Sequence, residues 1–132
     1  MKKYKEPLQE ESKELKYVFE QLIKRNYTVL PETISEGIVL KIHLEGNLET
    51  DGYEKGYLVL TPNSGILEHT HTNDIEKYIN LSGIMSIKNK QEKENICEIG
   101  KTHNIDKTQE LTIIKTIKIS KKTKIKTKTL FN

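Results

Sequence analysis

The chain has 132 residues, of which 31% are charged and 34% are hydrophobic, and its formal net charge is +3. This length allows one domain with a core of its own, and the charge is too small to require a nucleic-acid or membrane partner. The lone Cys97 cannot form an internal disulfide, and the basic N-terminus is not followed by the apolar segment of a signal peptide. We therefore expect a cytoplasmic protein that does not span a membrane.

Residues 1–30 have the hydrophobic periodicity of an amphipathic helix, and Asn26 with Pro31 marks the end of that helix. We interpret this N-terminal helical segment as packing one apolar stripe on the rest of the protein, and a role as a partner helix stays open. The stripe consists of Leu15, Val18, Phe19, Leu22 and Ile23.

Residues 31–132 change to short alternating runs separated by turn residues, which predicts an all-β domain of the sandwich or barrel type. The C-terminal run KTIKISKKTKIKTKTLF places Lys118 on one parity and Ile117 on the other, as in a strand with one solvated and one packed face. No arginine or aromatic residue interleaves with these lysines, so we expect no nucleic-acid partner. The predicted strands are 38–45, 57–61, 66–71, 75–81, 85–88, 96–99 and 111–119.

The segment LEHTHTNDIEKYINLSG contains two of the four histidines of the chain. His69 and His71 are two residues apart, so on a strand they point to the same face and can share a divalent ion. If THTND is a turn into a second strand, Glu76 lies opposite the pair and supplies an anionic third ligand. A pair of surface or core histidines with no metal explains the same spacing.

Tyr78 and Asn80 share the parity of Glu76, and we expect both to face the same cavity. Tyr78 is a candidate for a catalytic residue that handles protons or orients a substrate, although a packed ring with a bonded hydroxyl is the equal alternative. His43 shares a strand face with Lys41 and Glu45, which indicates a surface residue.

The spacing His69-x-His71-x4-Glu76-x6-Gly83 resembles the first conserved motif of the cupin superfamily, and Gly100-x-x-His103 is similar to part of the second. The first motif departs from the family where Asn63 replaces its leading glycine. The second departs at Glu92, Glu98 and Lys107, where the family has glycine, commonly proline, and asparagine.

The resemblance implies a jelly-roll β-barrel with an N-terminal α-helix, in which His69, His71, Glu76 and His103 converge on one divalent transition metal ion. Mixed nitrogen and oxygen ligands suit iron, manganese, nickel, cobalt or zinc alike. Similar proteins include dioxygenases, sugar-phosphate isomerases, decarboxylases and lyases. The resemblance thus implies a metal-dependent enzyme (isomerase, dioxygenase or lyase type) acting on a small polar or carbohydrate-like substrate, or a non-catalytic module that binds a small ligand. A homodimer is the family-level expectation.

Overall fold

The computed structural model describes residues 9–25, 27–88, 96–97 and 102–121. Over these residues it contains one helix and ten strands. The elements are α1 (Gln9–Ile23), β1 (Tyr27–Val29), β2 (Ser35–Glu36), β3 (Val39–Asn47), β4 (Tyr53–Leu60), β5 (Gly65–Thr70), β6 (Asp74–Ser82), β7 (Ile87–Lys88), β8 (Ile96–Cys97), β9 (Thr102–Ile105) and β10 (Thr112–Ser120).

The strands form two antiparallel sheets, one of six strands in the order β1-β3-β4-β10-β6-β8 and one of four in the order β2-β5-β9-β7. This arrangement confirms the predicted all-β barrel with an N-terminal helix. Pairing of β1 with β3 brings residues before position 31 into the six-stranded sheet. Within the described ranges, no helix has both the length and the hydropathy that a membrane span requires.

Two hydrophobic clusters lie on opposite faces of the six-stranded sheet. The inner cluster fills the space between the two sheets and includes Leu60, Ile66, Ile105 and Ile114. The outer cluster joins the other face of the six-stranded sheet to α1. Because both faces of this sheet are covered, strands β3, β4 and β10 carry apolar residues of both parities.

The helix packs on the outer cluster through a narrower stripe than its periodicity predicted. Val18 is fully buried, and Leu15 and Leu22 are partly buried against the cluster. Phe19 and Ile23 remain 45% and 79% exposed. A single helix on a sheet buries only the line of side chains that faces the sheet, so residues at the margin of an apolar stripe stay in solvent.

The face of β10 that carries Lys118 points toward the interior of the barrel, whereas we predicted that it faces solvent. Ile113 belongs to the outer cluster, whereas Ile114 belongs to the inner one, and Lys118 shares the inward parity of Ile114. Alternation alone does not tell which face of a covered sheet is solvated. The lysines from position 122 onward lie outside the described residues.

Candidate metal centre

The fold brings together the four side chains that the sequence motifs predicted as ligands. One ligand atom from each of His69, His71, Glu76 and His103 lies within 4.8 Å of the corresponding atoms of the other three. His103 is fully buried and Glu76 is 3% exposed, while His71 is 9% exposed. Three of the four candidate ligands are therefore buried, and His69 is partly exposed.

Strand register explains how distant parts of the chain meet at this point. His69 on β5 is the direct cross-strand partner of His103 on β9, and their ring centroids are 4.3 Å apart. His71 follows β5 immediately and lies 4.9 Å from His69 between ring centroids. The chain then turns into β6, on which Glu76 points inward from the six-stranded sheet.

Hydrogen bonds fix the ring orientation of two of the histidines. His69 Nδ1 lies 2.9 Å from the carbonyl oxygen of Leu67, and His71 Nδ1 lies 2.6 Å from Asp74 Oδ1. A ring nitrogen that faces an oxygen acceptor carries the proton, so Nε2 of each ring keeps its lone pair when the imidazole is neutral. Metal-binding histidines in proteins have this pattern of outer contacts.

Two buried ring nitrogens, His71 Nε2 and His103 Nδ1, make no hydrogen bond within the described part of the chain. His71 Nε2 does lie 2.9 Å from Glu76 Oε1, as an ion pair rather than a well-directed hydrogen bond. Buried polar atoms are normally satisfied, so two unpaired ring nitrogens beside a buried carboxylate fit a bound cation.

The hydroxyl of Tyr78 bridges two of the candidate ligands. It donates to Glu76 Oε1 at 2.6 Å and lies 2.8 Å from His103 Nε2. Because the hydroxyl has one proton, His103 Nε2–H donates to the hydroxyl oxygen, which leaves His103 Nδ1 without a proton. The ring is 2% exposed and belongs to the inner cluster. Its catalytic role stays a prediction.

The electrostatics of the cluster favour a cation among these side chains. Burial alone would lower the pKa of His71, but the carboxylates of Asp74 and Glu76 outweigh it and raise the pKa to about 9. Burial likewise opposes ionisation of Glu76, yet contacts with His71, Lys118 and Tyr78 lower its pKa to about 2. In His103, burial and the neighbouring histidines lower the pKa to about 4. At neutral pH His71 is therefore an imidazolium, and its positive charge lies among the side chains that could hold a metal.

A cavity of about 210 Å³ opens beside this cluster. Four aliphatic side chains line part of its wall: Leu30, Ile34, Leu58 and Ile66. Two lysines also line it: Lys118 Nζ is 3.7 Å from Glu76 Oε2, and Lys41 Nζ is 2.6 Å from Glu54 Oε2.

Sequence reasoning missed Asp74 and both cavity lysines. Asp74 carried a usable signal, because an acidic residue three positions after a histidine in a turn can reach the ring. Lys41 and Lys118 carried none, because each was assigned to a solvated strand face.

Other predictions near the site have mixed outcomes. His43 is exposed, as predicted. The prediction for Asn80 was wrong: it is exposed and its amide donates to the Gly83 carbonyl oxygen, because the end of β6 lies beyond the cavity. Gly100 and the side chain of Cys97 lie outside the described residues.

The departure of the first motif at Asn63 has a conformational explanation. Asn63 has a φ of 67°, in the left-handed region. Asparagine adopts this region more readily than other non-glycine residues, so it can replace a turn glycine here. Gly83 at the end of the motif has a φ of 85°, and a Cβ there would lie 2.5 Å from the Leu111 carbonyl oxygen.

Comparison with solved structures agrees with this architecture, although no family model and no curated protein matches the chain. A predicted oxalate decarboxylase from Thermotoga maritima is 18% identical, with a TM-score of 0.61 over 72% of this chain and 92% of that one. An acetylacetone dioxygenase from Acinetobacter johnsonii is 16% identical, with a TM-score of 0.54 over 90% of this chain and 74% of that one. A cupin domain from Schizosaccharomyces pombe is 11% identical, with a TM-score of 0.56 over 76% of this chain and 74% of that one. The chain therefore has the cupin fold.

Proposed function

We propose that this protein is a metal-binding cupin that acts as a metal-dependent enzyme on a small molecule held in the cavity. The observation that carries the proposal is the meeting of three imidazoles and one carboxylate, with ligand atoms within 4.8 Å of one another, beside that cavity. The neighbours named as a predicted oxalate decarboxylase and an acetylacetone dioxygenase support a reaction on a small molecule.

His69, His71, Glu76 and His103 would hold the ion. Three nitrogen donors and one oxygen donor suit iron, manganese, nickel, cobalt or zinc, so the donor set alone does not choose the metal. A divalent ion with open coordination positions supplies a Lewis acid for an oxygen atom of the substrate. This chemistry serves reactions of the isomerase, dioxygenase and lyase types.

The surrounding side chains have separable tasks in this proposal. Asp74 orients His71 through the 2.6 Å contact with Nδ1. Tyr78 donates to Glu76 and accepts from His103, and its hydroxyl is the candidate group for handling a proton of a bound molecule. Leu58 and Ile66 keep water away from one wall of the cavity.

One observation favours a second candidate function, a non-catalytic module that binds a small ligand. The Tyr78 hydroxyl is already engaged with two candidate ligands, and a group held in this way is less available for proton transfer. In that case the same metal and cavity would bind a ligand without converting it.

Elemental analysis of untagged protein, followed by product analysis over a panel of small molecules, tests these proposals. A stoichiometric transition metal together with metal-dependent conversion supports the enzyme, and oxygen uptake during conversion selects the dioxygenase type. Tight metal and ligand binding without conversion supports the binding module. Wild-type protein that binds no transition metal contradicts both.

We also propose that the protein forms a homodimer. The supporting feature is β1, which lies at the edge of the six-stranded sheet and exposes Tyr27 and Val29. Exposed apolar edge strands commonly pair with another chain. Light scattering that gives the mass of one chain at micromolar concentration would contradict this proposal.

A further inference from the structure

The lining of the cavity is divided between charged and aliphatic side chains, and this division bears on what it binds. Lys118 extends from β10 toward the candidate ligands, and its side chain is 27% exposed. The strand register places Lys118 between Glu54 on β4 and Glu76 on β6. Lys41 extends from β3 into the same cavity, and its side chain is 29% exposed.

The charge of this region becomes positive when a divalent ion is bound. Two carboxylates, those of Glu54 and Glu76, lie beside the two lysines, and a third, that of Asp74, also lines the cavity. Two lysines and a divalent ion carry four positive charges against the three negative ones, while neutral imidazoles add none. A partly enclosed cavity with excess positive charge attracts an anion more strongly than an open surface does.

Glu76 cannot fully neutralise both the ion and Lys118. Its Oε1 already accepts from Tyr78 and lies beside His71, while Oε2 is 3.7 Å from Lys118 Nζ. A carboxylate that binds a metal gives most of its charge to that metal, so the lysine ammonium then lacks a close counter-ion. A partly buried cation in this condition is stabilised by an anionic group on a ligand.

The aliphatic part of the lining restricts the rest of the ligand. The aliphatic side chains that line the cavity can neither donate hydrogen bonds to sugar hydroxyls nor accept hydrogen bonds from them. These side chains are Leu30, Ile34, Leu58 and Ile66. Burying several hydroxyls against these side chains would leave the hydroxyls unsatisfied, which is unfavourable. The cavity volume of about 210 Å³ is below the roughly 300–1,000 Å³ that is usual for ligand pockets, so the ligand is small.

From these observations we infer that the cavity selects a small organic carboxylate with a short apolar chain, with the carboxylate beside Lys118 and the chain against the aliphatic wall. This inference rests on the proposed function, since the excess positive charge arises from the bound ion. It replaces the expectation of a carbohydrate-like substrate with a more specific class.

Isothermal titration of cobalt-loaded protein with isobutyrate and its neutral isostere isobutyramide tests the inference. We expect the carboxylate to bind at least about tenfold more tightly than the amide, and to bind more weakly to metal-free protein. Lys118→Met is expected to lower the affinity for isobutyrate at least about tenfold and to leave the affinity for isobutyramide unchanged. Lys118→Arg, which keeps the charge, should retain most of the isobutyrate affinity.

Lys77→Met is the matched control, because Lys77 is an exposed residue on β6, next along the chain to Glu76, and its removal changes the net charge equally. It should leave isobutyrate affinity unchanged. Equal binding of acid and amide by the wild type, binding of neither, or full isobutyrate affinity in Lys118→Met would overturn the inference. If Lys118→Met does not fold, the wild-type comparison of acid with amide still decides. A failure of the wild type to bind cobalt is a separate result, seen in the preceding metal titration, and contradicts the proposed function itself.

Discussion

The two sheets of the barrel contribute different chemistry to the same site. The four-stranded sheet and the turn that follows β5 supply imidazoles, from His69, His71 and His103. The six-stranded sheet supplies charged groups, among them Glu76 and Lys118, which are cross-strand neighbours. The imidazoles provide neutral donors for an ion, whereas the other sheet sets the charge that the ion and its ligand meet. Glu76 belongs to the candidate ligands but Lys118 does not, so ligand recognition can be disrupted at Lys118 separately from metal binding.

The largest expected effect comes from removing an imidazole of the four-stranded sheet. His103→Ala and His69→Ala should each weaken metal binding by more than about 100-fold, because loss of a ligand exceeds the 10–100-fold effect of losing an outer contact. His43→Ala is the control, since His43 is exposed on β3. Metal content by elemental analysis after dialysis is the measurement. Full occupancy in all three variants would mean that the ligand assignment is wrong.

A smaller effect is expected at the start of β6, where the turn between the two sheets ends. Asp74→Ala removes the carboxylate that orients His71, which should weaken metal binding by about 10–100-fold. Competition with a chelator of known affinity measures the change. Asp51→Ala alters an exposed turn residue instead and should have no effect. Equal metal affinity in the two variants would show that Asp74 does not support His71.

Between pH 7 and 9, competition between a proton and the metal for His71 should change metal affinity about tenfold per pH unit. His71 has a pKa raised to about 9, so below that pH a metal must displace one proton, and affinity should rise as the pH rises. Stability of the metal-free protein should change in the opposite direction. The raised pKa stabilises the fold fully below the unfolded-state value near 6.5, and this stabilisation is lost as the pH rises through about 9.

Metal titrations at several pH values, with proton release measured in buffers of different ionisation enthalpy, check the first sign, and urea unfolding of the metal-free protein over the same pH range checks the second. A metal affinity that is flat from pH 7 to 9, with no proton released, would contradict the assignment of His71 as a ligand that is protonated before the metal binds.

The smallest effect on metal binding is expected from removing the Tyr78 hydroxyl, which connects Glu76 on one sheet with His103 on the other. Tyr78→Phe removes the donor to Glu76 and the acceptor for His103, which should lower the free energy of unfolding by about 1–3 kcal/mol and reduce metal affinity by less than tenfold. Urea unfolding measures the first quantity. The matched control is Tyr53→Phe, whose hydroxyl bonds to Glu45 in an exposed position and whose loss should have a much smaller effect on the free energy of unfolding. If the two variants are equally stable, the buried hydroxyl does not couple the sheets.

The distance between the candidate ligands along the chain explains which of them the sequence could predict. His69, His71 and Glu76 lie within eight residues, so strand parity and one turn were enough to predict that they meet. His103 could be added only through the resemblance, because its pairing with His69 depends on strand register across more than thirty residues of chain. The helix and most strands followed from periodicity, whereas β1 and β2 are too short to show any.

The two lysines that line the cavity could not be predicted from the alternation of polar and apolar residues along the strands. Lys41 and Lys118 have the pattern of a solvated strand face, and only the closure of the barrel turns that face toward the cavity. Leu40, Ile42 and Leu44, on the other face of β3, pack under α1. Which side of a two-sided sheet is enclosed depends on the whole topology rather than on any local segment.

Anomalous diffraction from crystals of metal-loaded protein tests the central claim most directly. We expect one anomalous peak per chain, with ring nitrogens of His69, His71 and His103 at roughly 2.0–2.2 Å and a carboxylate oxygen of Glu76 also bound. A peak elsewhere on the chain, or imidazoles that turn away from a metal-free cavity under saturating metal, would contradict the account.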